Sequence, residues 1–183
     1  MENCYIILLP TEILSYISTY IDPVSCYLLS NTCKELYSLF YINKRYADIV
    51  NVFYDVVKYD NLILLKILSQ KYTIPKNIKG WASRYGHLDI LIWIENNLCV
   101  NNKHVFTNAV LGNHMHIILW CNAIVYEIDY QSGARKAARS GNLHILEWIY
   151  KNGKITMECI YSEAAKNGNL PILIWTQKKG YPM

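Results

Sequence analysis

The chain has little charge for its size: of 183 residues only 17% are Asp, Glu, Lys or Arg, while 52% are hydrophobic. That balance excludes a disordered chain, which cannot bury enough apolar surface to offset its lost entropy. Eight glycines and five prolines are too few for a low-complexity tract. Long apolar runs are also lacking. The longest, such as 5–9 and 62–65, fall far short of the ~20 residues that cross a bilayer, so no membrane span is expected. Glu2 stands where a signal peptide needs positive charge and Pro10 ends the apolar stretch behind it, which points to an intracellular protein.

Enzyme motifs are missing as well. The sequence holds no GxxxxGK[ST] phosphate loop, GxGxxG, GxSxG or HExxH, so no catalytic residue is expected. Its six cysteines (Cys4, Cys26, Cys33, Cys99, Cys121, Cys159) contain no CxxC pair and fit no zinc spacing, and buried reduced thiols are expected. His114 and His116 lie two apart, which on a helix turns their rings about 200° from each other. Neither a metal nor a cofactor is therefore expected.

What is present is a repeat. Four segments align without gaps: WASRYGHLDILIWIENN from Trp81, NAVLGNHMHIILWCNAI from Asn108, KAARSGNLHILEWIYKN from Lys136 and EAAKNGNLPILIWTQKK from Glu163. Trp93, Trp120, Trp148 and Trp175 stand 27, 28 and 27 residues apart, and a degenerate copy from Val56 places Ile67 in the same column. Ala82, Ala109, Ala137 and Ala164, with Val56, form a small-residue column that lets helices approach closely. Asp60, Gly86, Asn113, Gly141 and Gly168 follow, all residue types that tolerate positive φ, so each is expected to end a first helix in the left-handed region. Behind them apolar residues recur at i, i+2, i+3 and i+6, as in Leu143, Ile145, Leu146 and Ile149, which suits a second helix packed between neighbours. The tryptophans are expected in the core between stacked units. Pro171 falls in a first turn, and Gly153 and Gly180 are candidate helix ends.

The pattern AAxxGHLxxLxWLxxxG resembles ankyrin repeats, of the short, tryptophan-containing kind abundant in large DNA viruses of protists, over about two thirds of the chain. The usual 33-residue unit carries a Thr-Pro-Leu-His box and a hairpin finger; neither is present here, which puts finger-tip recognition in doubt. The resemblance implies an all-α chain whose residues 51–183 form five helical hairpins in a solenoid. The fifth unit keeps its apolar pattern and shows no polar capping repeat, so an exposed apolar edge is expected there.

Residues 9–39 read LPTEILSYISTYIDPVSCYLLSNTCKELYSL. Ile13, Leu14, Ile17 and Ile21 keep helical spacing until Asp22-Pro23 breaks it, and Leu28, Leu29, Leu36 and Leu39 resume it. Periodicity alone leaves this segment as a helical cap for the repeats. The string also resembles an F-box, with Leu-Pro, Glu-Ile-Leu, Asp-Pro and Cys-Lys-Glu-Leu in register. That resemblance makes residues 1–50 an F-box-like helical module and implies docking on the Skp-type adaptor of a cullin-RING ubiquitin ligase. Carried residue by residue, the contact set is Leu9, Pro10, Ile13, Leu14, Ile17, Ile21, Pro23 and Leu28. The repeats would then recruit a target protein, in the host cytoplasm or nucleus if the chain is viral. The alternative is a scaffold that tethers or sequesters a host protein with no ligase link.

One column carries charge. Lys58, Arg84, Leu111, Arg139 and Lys166 hold the same place in successive units, with Lys136, Arg135 and Lys79 nearby. Residues 51–183 contain fifteen Lys/Arg against nine Asp/Glu, whereas residues 1–50 contain three against five. Cations in the last turn of a helix are favoured by its dipole, which accounts for the column by itself. The other reading is a row that meets an acidic protein partner. Nucleic acid is disfavoured, because base-stacking aromatics are not interleaved with the row.

Overall fold

The computed structural model describes residues 49–98, 104–124 and 128–181. All regular structure among them is helical, ten helices without a strand, and the fold is all-α. The helices pair off: α1 (Ile49–Lys58) with α2 (Leu62–Lys71), α3 (Ile78–Tyr85) with α4 (Leu88–Asn97), and α5 (Val105–Gly112) with α6 (Met115–Ala123). The series continues with α7 (Tyr130–Ser140) and α8 (Leu143–Asn152), then α9 (Met157–Lys166) and α10 (Leu170–Lys178). The chain divides into two compact units between Ile78 and Lys79. None of the helices among the described residues is long and apolar enough to cross a membrane.

Every pair is closed by the same turn. Asp60 (φ 56°), Gly86 (90°), Asn113 (65°), Gly141 (78°) and Gly168 (68°) are all left-handed, as their residue types require. The amide of the next residue then reaches back five positions to the small-residue column: Asn61 to Val56 O, His87 to Ala82 O, His114 to Ala109 O, Asn142 to Ala137 O and Asn169 to Ala164 O, at 2.9–3.0 Å. This is the Schellman closure, and it satisfies a carbonyl that the first helix leaves open.

In the second unit α7 packs against its partner α8 and lies against both α5 and α9, so three first helices stand side by side. Side-chain size explains the approach. Ala109, Val110, Ala134, Ala137, Ala138 and Ala164 are fully buried, and Gly133 leaves the space into which the Phe106 ring projects. The second helices bury the i+2, i+3 and i+6 positions: Ile90, Leu91 and Ile94; Ile117, Ile118 and Cys121; Ile145, Leu146 and Ile149. Burial pushes the Cys121 thiol up to about 12, so it is an inert core group. In the fifth pair Ala165 is exposed, Leu173 is half-buried and Leu170 is 62% exposed. The first unit repeats the scheme by itself, with Val56, Val57, Leu64, Leu65 and Leu68 buried.

The tryptophans depart from expectation. Trp93, Trp120 and Trp148 are half-buried, and of the repeat column only Trp175 is buried, at 7% exposure. The residue that follows in each unit (Ile94, Cys121, Ile149, Thr176) is fully buried instead. Helical geometry gives the reason: residues at i+2, i+3 and i+6 centre the apolar face, and i+5 falls on its flank about 110° away. There the rings pack edgewise or tilted on tyrosines, Trp148 with Tyr130 at 6.4 Å and Trp175 with Tyr150 at 5.3 Å.

A Cβ built on Gly86 would stand 2.6 Å from the His114 ring, whereas one on Gly168 meets nothing within 4 Å. Gly86→Ala is therefore expected to lose about 2–3 kcal/mol in urea unfolding and Gly168→Ala only about 1 kcal/mol, the left-handed penalty alone. Equal losses would contradict this account of the turns.

Candidate functional site

Within the second unit the residue after three of the left-handed turns, His114, Asn142 and Asn169, bonds to the hairpin before it. His114 Nε2 is 3.0 Å from Arg84 O, and His116 Nε2 is 2.9 Å from Gly86 O. Asn142 Nδ2 donates to Val110 O at 3.0 Å, and Asn169 Nδ2 donates to Ala138 O at 2.6 Å and Arg139 O at 3.0 Å. These acceptors are carbonyls at the end of the preceding first helix, a place where orphan acceptors remain. Asn61, in the first unit, spends the same side chain differently: its Oδ1 accepts from Leu64 N and caps its own helix. Asn142 and Asn169 make no such cap because their amides are turned toward the neighbouring hairpin.

On the outward side of this ladder α7 presents a basic stripe. Ser132, Arg135, Lys136 and Arg139 fall at i, i+3, i+4 and i+7, one face of the helix, while Gly133, Ala134, Ala137 and Ala138 are buried on the other. Arg135 and Arg139 are exposed and Lys136 is half-buried. The α7 N-terminus is capped by Asp129, whose Oδ1 accepts from Ser132 N at 2.9 Å; the Ser132 hydroxyl, then that amide, then the charges of Arg135 and Lys136, hold its carboxyl below the ordinary range against an opposing desolvation. Arg84 is exposed in the last turn of α3. Desolvation, then the Arg84 charge, lower the Lys136 ammonium from its usual value, with Arg139 adding to the effect and Asp129 opposing it. Lys136 thus lies within range of the charges of both Arg84 and Arg139.

Of these cations Arg139 is already partnered, and the remaining charged candidates stand elsewhere. Arg139 is paired with Glu163 of α9 at 3.2 Å, a surface contact worth about 0–1 kcal/mol. Lys166 is exposed in the last turn of α9. Lys58 belongs to the first unit, in the last turn of α1, with Nζ 5.2 Å from the Tyr59 ring centre. Lys79, which the sequence places near the basic row, is instead a core residue: it is 2% exposed and bonded to Glu95 at 2.6 Å, so its charge does not reach an outward face. Leu9, Pro10, Ile13, Leu14, Ile17, Ile21, Pro23 and Leu28 lie outside the described residues.

No group of three His, Cys, Asp or Glu side chains able to hold a metal occurs among the described residues. His114 and His116 approach at 5.7 Å between ring centres, each committed to a carbonyl. Sequence spacing separated these two rings; it did not show that both reach across to α3 and its turn, because that partner lies 30 residues away. Comparison with protein-family models, curated proteins and solved structures finds no match to this chain.

The ladder is open to test at His114. Desolvation is the main cause that lowers its imidazole from the ordinary value, reinforced by the charges of His116, His87 and Arg84 and opposed by the Arg84 carbonyl. A folded-state value below the unfolded one means that stability is complete above the free imidazole value of about 6.5 and declines as pH falls through the lowered one. His114→Asn keeps a donor of the kind used at Asn142 and Asn169, so it should unfold within about 1 kcal/mol of wild type at pH 7.5 and lose less stability below pH ~6.5. His114→Ala should cost about 1–3 kcal/mol at pH 7.5. Urea titrations at both pH values check this, and an asparagine variant as damaged as the alanine one would contradict it.

Proposed function

We propose that the protein is a non-enzymatic adaptor that joins two other proteins: an F-box-like segment at 9–39 docks on the Skp-type adaptor of a cullin-RING ubiquitin ligase, and an ankyrin-like array of hairpins holds a target. The observation that supports the reading is the uniformity of the hairpins. Five turns close in the same way, and within the second unit His114, Asn142 and Asn169, after three of them, each tie a hairpin to the one before it. A frame built this way keeps its outward face free to vary, which suits recognition of a protein surface. Holding a target beside a ligase would raise its effective concentration there, and proximity would be the whole mechanism.

The ligase link rests on the register of Leu9, Pro10, Glu12, Ile13, Leu14, Asp22, Pro23 and Cys33 with the F-box pattern. The plain scaffold remains the second reading, since the crowded cations of α3 and α7 support partner binding without any ligase.

Capture from eukaryotic lysate separates the two. With the intact chain as bait, the Skp-type adaptor and cullin should be recovered, and Leu9→Ala/Pro10→Ala should reduce recovery at least tenfold. Absence of both proteins from the wild-type capture would overturn the ligase link and leave the scaffold.

A further inference from the structure

Arg84 and Lys136 carry exposed or half-exposed positive charge with no ion pair to either among the described residues. Their neighbours sharpen the pattern. In the repeat register Leu111 falls between Arg84 and Arg139, and it is half-buried on α5, between the basic positions of α3 and α7. Hairpins carrying α3 and α5 are fastened by the His114 contact to Arg84 O, and α5 packs directly on α7. The face therefore reads cation, apolar step, then Lys136 beside Arg139, the latter already bonded to Glu163.

We propose that this face binds an acidic, extended protein segment in which carboxylates on both sides flank one apolar side chain seated on Leu111. Spacing sets the motif. Neighbouring packed helices stand about 8–10 Å apart, so Arg84 and Arg139 are separated by two such steps, about 16–20 Å. An extended chain rises about 3.3 Å per residue, which places the two acidic positions about six residues apart with the apolar residue midway. Charge complementarity favours such a segment over a basic or neutral one, and it would offset the positive charge that Arg84 and Lys136 hold without an ion pair. Duplex DNA offers charge every few ångströms but no apolar group for Leu111 to receive. The inference deepens the adaptor reading by naming the chemistry of its target, and it holds for the scaffold version equally.

The test uses the full chain and a fluorescein-labelled peptide, Glu-Glu-Ser-Gly-Leu-Gly-Ser-Glu-Glu, followed by fluorescence anisotropy. Wild type should bind with an affinity that weakens as salt rises. Arg84→Glu/Lys136→Glu should weaken binding at least tenfold, replacement of the peptide's leucine by serine severalfold, and Lys151→Glu, on α8, not at all. Thermal unfolding of Lys136→Gln should match or exceed wild type, because crowding is removed; that variant also keeps the test valid if the double reversal fails to fold. No peptide binding by wild type, binding indifferent to both the reversal and Lys136→Gln, or tighter binding of a 12-base-pair duplex lost through the same substitutions would each overturn the proposal. Adaptor is absent from the assay, so loss of the ligase link leaves its outcome unaffected.

Discussion

The second unit depends on one exchange of hydrogen bonds: after three of its left-handed turns the side chain, His114, Asn142 or Asn169, leaves its own helix uncapped and donates to carbonyls of the hairpin before. A first helix ends with acceptors that nothing in the same helix can reach. The Schellman amide satisfies one of them, and the imidazole or carboxamide of the next hairpin satisfies another. Burial of small residues alone would bring the helices close without fixing how far each hairpin slides along its neighbour. The directional bonds fix that position, and with it the relative placement of every outward side chain.

This constraint explains why charge can accumulate on the outside. The inward face of α7 is all Gly and Ala, which brings α5 and α9 close and forces its longer side chains outward into a single stripe. Arg84 comes within electrostatic range of Lys136 although they belong to hairpins that are not consecutive. A helix dipole accounts for Arg84, Arg139, Lys58 and Lys166 one at a time, since each sits in a last turn. It gives no reason for Lys136, in the body of α7, to be held half-buried against two other cations. Binding of an acidic partner supplies one.

Much of the fold was legible in the residues because local rules decided it. Positive φ selects Gly, Asn or Asp whatever surrounds the turn, and all five positions obeyed. The apolar spacing of the second helices likewise identified their buried residues at i+2, i+3 and i+6. Two features escaped. The helical register of the tryptophans points to the core, whereas Trp93, Trp120 and Trp148 sit at its edge and of that column only Trp175 is buried. The pairing of His114, Asn142 and Asn169 with carbonyls about 30 residues earlier was invisible because a side chain that can cap its own helix, as Asn61 does, carries no mark of the alternative. Lys79 was hidden for a related reason, since only the structure shows Glu95 close enough to accept it.

The ladder can be observed directly by hydrogen exchange of asparagine side-chain amides in NMR spectra of the full chain. The account predicts that at least one Nδ2 proton of Asn142 and one of Asn169 exchange markedly more slowly than those of a free asparagine amide under the same conditions. Exchange of both amides at the free rate in the folded protein would contradict it, since the carboxamide bonds that set α7 against α5 and α9 against α7 would then not be formed.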